Sequence, residues 1–286
     1  MKYVFIQEHR HQYPVSLQCR VLGVSSSGYY QYRRGNGSTR SQADQQMCQQ
    51  IRSIYSQSHN SYGSPRISKE LRRQGYVCNR KRVMRLMRLC GISARKKRRR
   101  VCTTNSKHSQ PVAANLLGQN FRAEKPNMIW LSDTTYIPTR EGWLYLTTVL
   151  DMYSRRIVGW SFSHRNDHQL VKRAVGAALE CRKRQPGLLF HSDRGSQYAA
   201  ADVQKLLTDS SIVPSMSRAG NCYDNAPQES FFASLKKEWL PAKLYATRSE
   251  AITSLFEYIE IFYNRRRLHS ALGYTSPVDF ENLHTP

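Results

Sequence analysis

The first 120 residues carry 23 lysines and arginines against three acids, Glu8, Asp44 and Glu70, a net charge of +20. Charge of one sign at that density repels itself and destabilises a compact region unless a polyanion neutralises it. Residues 121–286 are nearly balanced, with 21 bases and 17 acids, so about five-sixths of the total charge of +24 lies in the N-terminal part. A nucleic acid, held mainly through release of phosphate counterions, is the partner this asymmetry favours. An acidic protein or an anionic membrane would use the same charge, but no strongly amphipathic basic helix with an aromatic face supports a membrane. At 40% hydrophobic residues the chain can bury a sizeable core and is not a disordered basic tail.

No apolar run approaches the ~18 residues that span a bilayer. The opening stretch MKYVFIQEHR is too short in apolar residues for a signal peptide. The seven cysteines (19, 48, 78, 90, 102, 181 and 222) are scattered, odd in number and form no C-x-x-C pair. Reduced thiols in a cytoplasmic setting fit that usage, and the basic charge points to a nucleoid-associated place there; a zinc module or a disulfide scaffold does not fit.

Residues 1–60 read as a helical, helix-turn-helix-like region. Val15, Cys19 and Leu22 fall on one apolar helical face, Gly23 suits a turn, and Ser25 to Ser27 offer a cap for a second helix. The same logic recurs at 61–94. Ser64 is the expected cap with Pro65 in the first turn, Ile67 and Leu71 point inward, and Gly75 stops the helix. Asn79 then caps a helix with Val83, Leu86, Met87 and Cys90 inward and Arg80, Lys81, Arg82, Arg85 and Arg88 outward. Five bases without an acid among them favour contact with the DNA backbone over an ordinary solvated face. Arg95, Lys96, Lys97, Arg98, Arg99 and Arg100 form a solid basic run that opens a linker over 95–125, expected to cross or track phosphate. A nuclear-localisation signal would use the same six residues.

Residues 126–240 change texture. Strand patterns at 128–137, 143–150 and 156–162 form an antiparallel meander. A helix over 168–184, a buried strand at 188–193, a helix over 199–210, a strand at 212–216 and a helix over 227–239 follow. The order β-β-β-α-β-α-β-α predicts an α/β ribonuclease-H-like core, with the fourth strand beside the first. Asp133 falls inside the first strand, where an unpartnered carboxylate is costly. Asp193 falls just past the fourth, and Glu229 opens the last helix. Three converging carboxylates are what two Mg²⁺ ions about 3.5–4 Å apart require, with Mn²⁺ as a substitute. Each acid alone has a plain structural reading: a hydrogen-bonded strand acid, a turn residue, an acid at a helix N-terminus. Asp151 and Asp224 are read as structural acids. In the last segment, 241–286, a long helix is expected over 248–269, with Ile252, Leu255, Phe256, Ile259 and Tyr263 on one apolar stripe.

The residues that carry these features also carry a resemblance. Cys19-Arg-Val-Leu-Gly-Val, Tyr62-Gly-Ser-Pro-Arg-Ile, Trp130-Leu-Ser-Asp-Thr-Thr-Tyr, His191-Ser-Asp-Arg-Gly-Ser-Gln-Tyr, Asn225-Ala-Pro-Gln-Glu-Ser-Phe-Phe and Phe262-Tyr-Asn-Arg-Arg-Arg-Leu-His span nearly the whole chain. It resembles the second-frame, catalytic part of insertion-sequence transposases of the IS-three family, within the retroviral-integrase superfamily with an Asp-Asp-Glu site. The resemblance implies that Asp133, Asp193 and Glu229 are catalytic metal ligands. It also implies that Lys236, two helical turns past Glu229, contacts DNA near the scissile phosphate. Pro227-Gln228 replaces a hydrophobic pair usual before the glutamate. Double-stranded DNA, both element terminal repeats and target, is the implied partner, held by at least a dimer on paired ends. An upstream-frame DNA-binding protein is a further implied partner. Two other readings stay open: a non-catalytic DNA-binding regulator, and a structure-specific nuclease on the same fold. Tyr263, Asn264, Arg267 and His269 match a family motif without an assigned chemistry.

Overall fold

The computed structural model describes residues 1–33, 39–94, 112–182, 186–218 and 222–284. It divides into two compact units, Met1–Gln57 with Tyr62–Ala94, and Ser58–Ser61 with residues 95–286. The basic run Arg95 to Arg100 lies outside the described residues.

The first unit is helical. α1 (Lys2–His9), α2 (Val15–Val21) and α3 (Ser26–Arg33) enclose a small core of Ile6, Cys19 and Tyr29, with Val15 and Leu22 packed against it. Gly23 takes φ +62° at the α2–α3 turn, where a side chain would be strained. The Ser25 hydroxyl accepts a hydrogen bond from the Gly28 amide at 2.9 Å. α4 (Thr39–Gln57), α5 (Ser64–Arg73) and α6 (Arg80–Leu89) pack on one another. α4 contributes Met47, Ile51 and Ile54, spaced i, i+4, i+7, to a core shared with Ile67, Leu71, Val83, Leu86 and Met87. The α5 cap is Gly63 rather than Ser64, which is the first helical residue and makes no capping bond. Asn79 caps α6 as expected, its side chain accepting from the Arg82 amide at 2.8 Å.

The second unit is built on a five-stranded sheet in the order β3-β2-β1-β4-β5. β1 (Ile129–Thr139), β2 (Gly142–Asp151) and β3 (Ile157–Ser163) form the antiparallel meander. α7 (His168–Cys181) crosses over to β4 (Leu189–Ser192), which pairs parallel to β1. The short α8 (Ser196–Ala199) and then α9 (Ala201–Asp209) lead to β5 (Val213–Met216), parallel to β4. One sheet face is covered by α7, α8 and α9 through a core that includes Trp130, Val158, Val171, Phe190, Tyr198 and Leu207. Gly159 lets α7 approach β3 closely, since a Cβ there would lie 2.3 Å from the Ala174 carbonyl oxygen. α10 (Ala226–Glu238) and α11 (Arg248–Phe256) pack on the other face against β1 and β2. α12 (Pro277–His284) closes the chain.

The expected continuous helix over 248–269 is shorter and irregular. α11 passes at Glu257 into a π-helical segment that ends at Tyr263. Leu255, Tyr258, Ile259, Phe262 and Tyr263 are buried as a stripe, while Ile252 and Phe256, on regular α11 ahead of the wider turn, are exposed. This segment locks α10 at both ends. Phe231 meets Tyr263 edge-to-face at 4.6 Å between ring centroids. At the far end, buried Arg267 grips buried Glu238 through two hydrogen bonds of 2.6 and 2.8 Å. Arg267 also donates to the Ser234 hydroxyl and pairs with the His269 ring. Asn264 both accepts from the Ile157 amide and donates to its carbonyl, pinning the segment to β3. Of the family motif, Tyr263 and Arg267 contact α10 and Asn264 contacts β3.

Removing one member of a buried ion pair strands its partner's charge, a loss of about 3–5 kcal/mol. Arg267→Met is therefore expected to lower the denaturant midpoint of the second unit by a corresponding amount, read by equilibrium unfolding.

Candidate active site

Parallel pairing sets two of the predicted acids side by side. β1 and β4 match Ile129 to Leu189, Trp130 to Phe190 and Leu131 to His191. The ladder ends there, and the same offset carried two residues further would bring Asp193, just past the end of β4, to the level of Asp133. The Asp133 carboxylate accepts from the Thr134 amide at 2.7 Å. Asp193 accepts from the Gly195 amide at 3.0 Å, turning the chain immediately after β4.

Glu229 comes from α10, whose N-terminal end is stitched to the strands flanking Asp133. The Asn225 side-chain amide donates to the Ser132 carbonyl at 3.0 Å. Buried Gln228 donates to the Thr148 carbonyl at 3.1 Å and to its hydroxyl. Thr148 is the cross-strand partner of Asp133 on β2. In the sequence Gln228 stands out only as a departure from the family pattern; a polar residue directly before a candidate ligand is the one signal of its anchoring role. The remaining oxygens of Asn225 and Gln228 are buried without a hydrogen-bond partner among the described residues.

Asp133 is within electrostatic reach of both other acids. Burial pushes the Asp133 carboxyl well above the usual carboxylate range, and the charge of Asp193 and then of Glu229 pushes it further. The Thr134 amide and the Lys236 ammonium oppose this. Lys236 lies with its Nζ 5.1 Å from the centre of the Tyr136 ring. Behind β1, the buried Tyr198 hydroxyl lies 2.9 Å from that of Ser132 and 3.4 Å from that of Thr134. Burial, followed by the charges of Asp133 and Asp193, raises its pKa well above the ordinary value, so it stays a neutral phenol. Buried His191 bonds the Ser215 and Ser217 hydroxyls, and burial takes its imidazole down to about 4, so it is neutral too.

The two other acids are occupied elsewhere. Asp151 accepts from the Asn127 and Tyr153 amides, and burial raises it to about 6. Fully buried Asp224 is held well below the usual range, first by the Arg218 side chain. It binds Arg218, Asn115 and Gln119 at 2.8–3.2 Å, joining the loop after β5 to the segment ahead of β1.

In the first unit, Arg80, Lys81, Arg85 and Arg88 are exposed and Arg82 is half-buried. The α6 face is not free of acid, however: Asp44 of α4 bonds both Arg82 and Arg85. That pairing spans 38 and 41 residues of sequence and leaves no local signature.

Integrase core domain models match residues 123–222 and 229–284, and a model described as HTH-like domain matches residues 41–100. Together with the sheet order, these define a ribonuclease-H-like polynucleotidyl transferase of the Asp-Asp-Glu class, joined to a helix-turn-helix-like unit. The chain is 43% identical over 284 residues to "Transposase InsF for insertion sequence IS3A" of Escherichia coli strain K12, covering 99% of each. It is 44% identical over 262 residues to "Insertion element IS600 uncharacterized 31 kDa protein" of Shigella sonnei, covering 92% of this chain and 96% of the other. Among solved structures, a chain of the simian T-cell lymphotropic virus intasome in complex with PP2A regulatory subunit B56 gamma aligns at 16% identity and a TM-score of 0.46. That alignment covers 82% of this chain and 75% of that one. The protein belongs to the IS3 family of insertion-sequence transposases.

A carboxyl whose folded pKa is raised favours the protonated state, so it costs stability once ionised. That cost is absent below the unfolded value near 3.8 and grows as pH rises through the gap to the higher folded value. Asp133→Asn is therefore expected to raise the melting temperature of metal-free protein at neutral pH. The gain should fade toward pH 3–4; a gain independent of pH would contradict the electrostatic cause.

Proposed function

We propose that this transposase binds the terminal repeats of its element and target DNA. It then cuts and joins strands by metal-dependent attack of water and of a 3′-OH, with Asp133, Asp193 and Glu229 as the catalytic ligands. The observation that carries the reading is the convergence of the Asp193 and Glu229 charges on Asp133. Among the described residues, no three His, Cys, Asp or Glu side chains stand close enough to hold an ion as placed. The donor set nevertheless fits a hard divalent cation. It is all carboxylate oxygen, with no histidine or cysteine ligand, and its mutual repulsion is what a cation would relieve. Mg²⁺ is the expected cofactor, as two ions, with Mn²⁺ substituting. Bound cations would supply the Lewis acidity that activates the attacking oxygen and stabilises the leaving one.

The chain's own residues do the positioning. The Thr134 and Gly195 amides fix the two strand acids, and Gln228 and Asn225 set the height of Glu229 above the sheet. Lys236, on the Glu229 helix and within electrostatic reach of Asp133, would contact phosphate beside the cut. Arg80, Lys81, Arg82, Arg85 and Arg88, with the run Arg95 to Arg100, supply sequence-independent attraction to the duplex. Two ends must be handled together, so the working form is at least a dimer, and an upstream-frame DNA-binding protein is a candidate partner. No helix among the described residues is long and apolar enough to cross a membrane.

Asp133→Asn, Asp193→Asn and Glu229→Gln are each expected to abolish cleavage and strand joining in a Mg²⁺ assay while duplex binding persists. Retained joining in any of the three would sink the assignment. Cleavage without joining in the wild type would mark a nuclease, and binding without either reaction a regulator. Duplex affinity should also fall steeply as salt rises from 50 to 200 mM, by roughly 10³-fold if about six phosphates are contacted. A flat salt response would remove the charge argument.

A further inference from the structure

We propose that Asp44 is a specificity-determining positioning residue: it holds Arg82 and Arg85 in the orientation with which α6 reads base edges of DNA. The proposal rests on the DNA-binding reading given above and extends it to a residue of opposite charge.

The geometry is specific. Arg82 donates to one Asp44 oxygen through both Nε and Nη2, at 2.9 and 2.8 Å. Arg85 donates to the other oxygen through Nη2 alone, at 2.5 Å. That bond uses one of the two Nη2 hydrogens, so one bidentate edge of Arg85, the second Nη2 hydrogen with its neighbouring N–H, stays open, and 46% of the side chain is exposed, against 29% for Arg82. Lys81, Arg85 and Arg88, spaced i, i+4, i+7, form one outward stripe on α6, while Val83, Leu86 and Met87 face the core. Arg85 is thus the guanidinium that is both fixed from behind and open in front. A planar fork of this kind matches the O6 and N7 acceptors of guanine in the major groove.

A plain staple between α4 and α6 is the alternative, and charge argues against it. The three helices already share an apolar core, and a partly exposed ion pair adds little stability. Meanwhile an acid placed under two arginines weakens the attraction to phosphate that the rest of this unit is charged to provide. What Asp44 supplies in return is order. Arginine has much rotamer freedom to lose on binding, and a side chain fixed beforehand loses less. The carboxylate is also held ionised, first by its Arg85 hydrogen bond, so the clamp persists at neutral pH.

The test uses the full chain and duplexes selected by the wild type from a randomised pool, with scrambled duplexes of equal length for comparison. Fluorescence anisotropy gives the ratio of the two affinities for wild type, Asp44→Asn, Asp44→Glu, Arg85→Lys and the Asp44→Asn/Arg85→Lys double variant. Each is measured below its own thermal transition. Asp44→Asn is expected to cut the ratio about tenfold, within the range of one lost bidentate base contact. Scrambled duplexes should bind as well or better, because a negative charge has gone. Asp44→Glu should recover part of the ratio. The double variant should be no worse than Arg85→Lys alone, since Asp44 acts through Arg85. An unchanged ratio in Asp44→Asn, an equal weakening of both duplexes, or losses that multiply in the double variant would each overturn the proposal. Wild-type protein that shows no salt-dependent binding would instead bring down the DNA-binding reading on which it rests.

Discussion

Carboxylates set side by side within a sheet repel one another and lose solvation, and much of the second unit is arranged to hold them there. The parallel β1–β4 register, carried past the end of β4, would bring Asp133 and Asp193 to the same level. The sheet alone cannot add a third acid, because neighbouring positions on β2 and β5 are taken by uncharged residues such as Thr148 and Met216. Glu229 must arrive on a helix, and a helix laid on a sheet can slide or roll unless it is tied. Asn225 and Gln228 tie one end of α10 to the strands around Asp133, and Glu238 ties the other to Arg267. These ties are buried hydrogen bonds, although one oxygen each of Asn225 and Gln228 stays without a partner among the described residues.

The position of the C-terminal segment follows from the same need. Its buried aromatics pack on Phe231, two residues past Glu229, and Asn264 occupies the backbone hydrogen bonds of Ile157 at the start of edge strand β3. Residues more than 25 positions from Glu229 therefore decide where it sits. The π-helical stretch belongs to the same fit: the wider turn brings Tyr258, Phe262 and Tyr263 into the interior together.

Much of this is legible in the sequence because it rests on local pattern. The strands of the meander announce themselves by β-branched and aromatic runs, and the Gly and Asn caps by residue type. The neighbourhood of Asp133 and Asp193 follows from strand order alone. What stays hidden depends on contacts between distant residues. α4 contains Met47, Ile51 and Ile54 at helical spacing, but its polar surroundings mask a core stripe. The Asp44 clamp, the Gln228 anchor and the Arg267–Glu238 pair each join residues far apart in the chain, so no window of sequence contains both partners. The end of α11 is hidden for another reason, since a single extra residue per turn alters which side chains face inward without changing composition.

Charge is used in opposite ways in the two units, with a common logic. In the second, acids are brought within electrostatic reach of one another against their mutual repulsion. In the first, bases are gathered on α6. Each arrangement is destabilising alone, and under the proposed function it would be relieved by the cation or phosphate it handles, which would couple folding energy to binding. The exceptions sharpen the rule. Lys236 is a base at the acid site, and Asp44 is an acid at the basic face; each opposes the local excess of charge. A countercharge at such a point reduces raw attraction but restricts where the attracting groups can point. Orientation rather than strength is what a single opposite charge can contribute in a field of like ones.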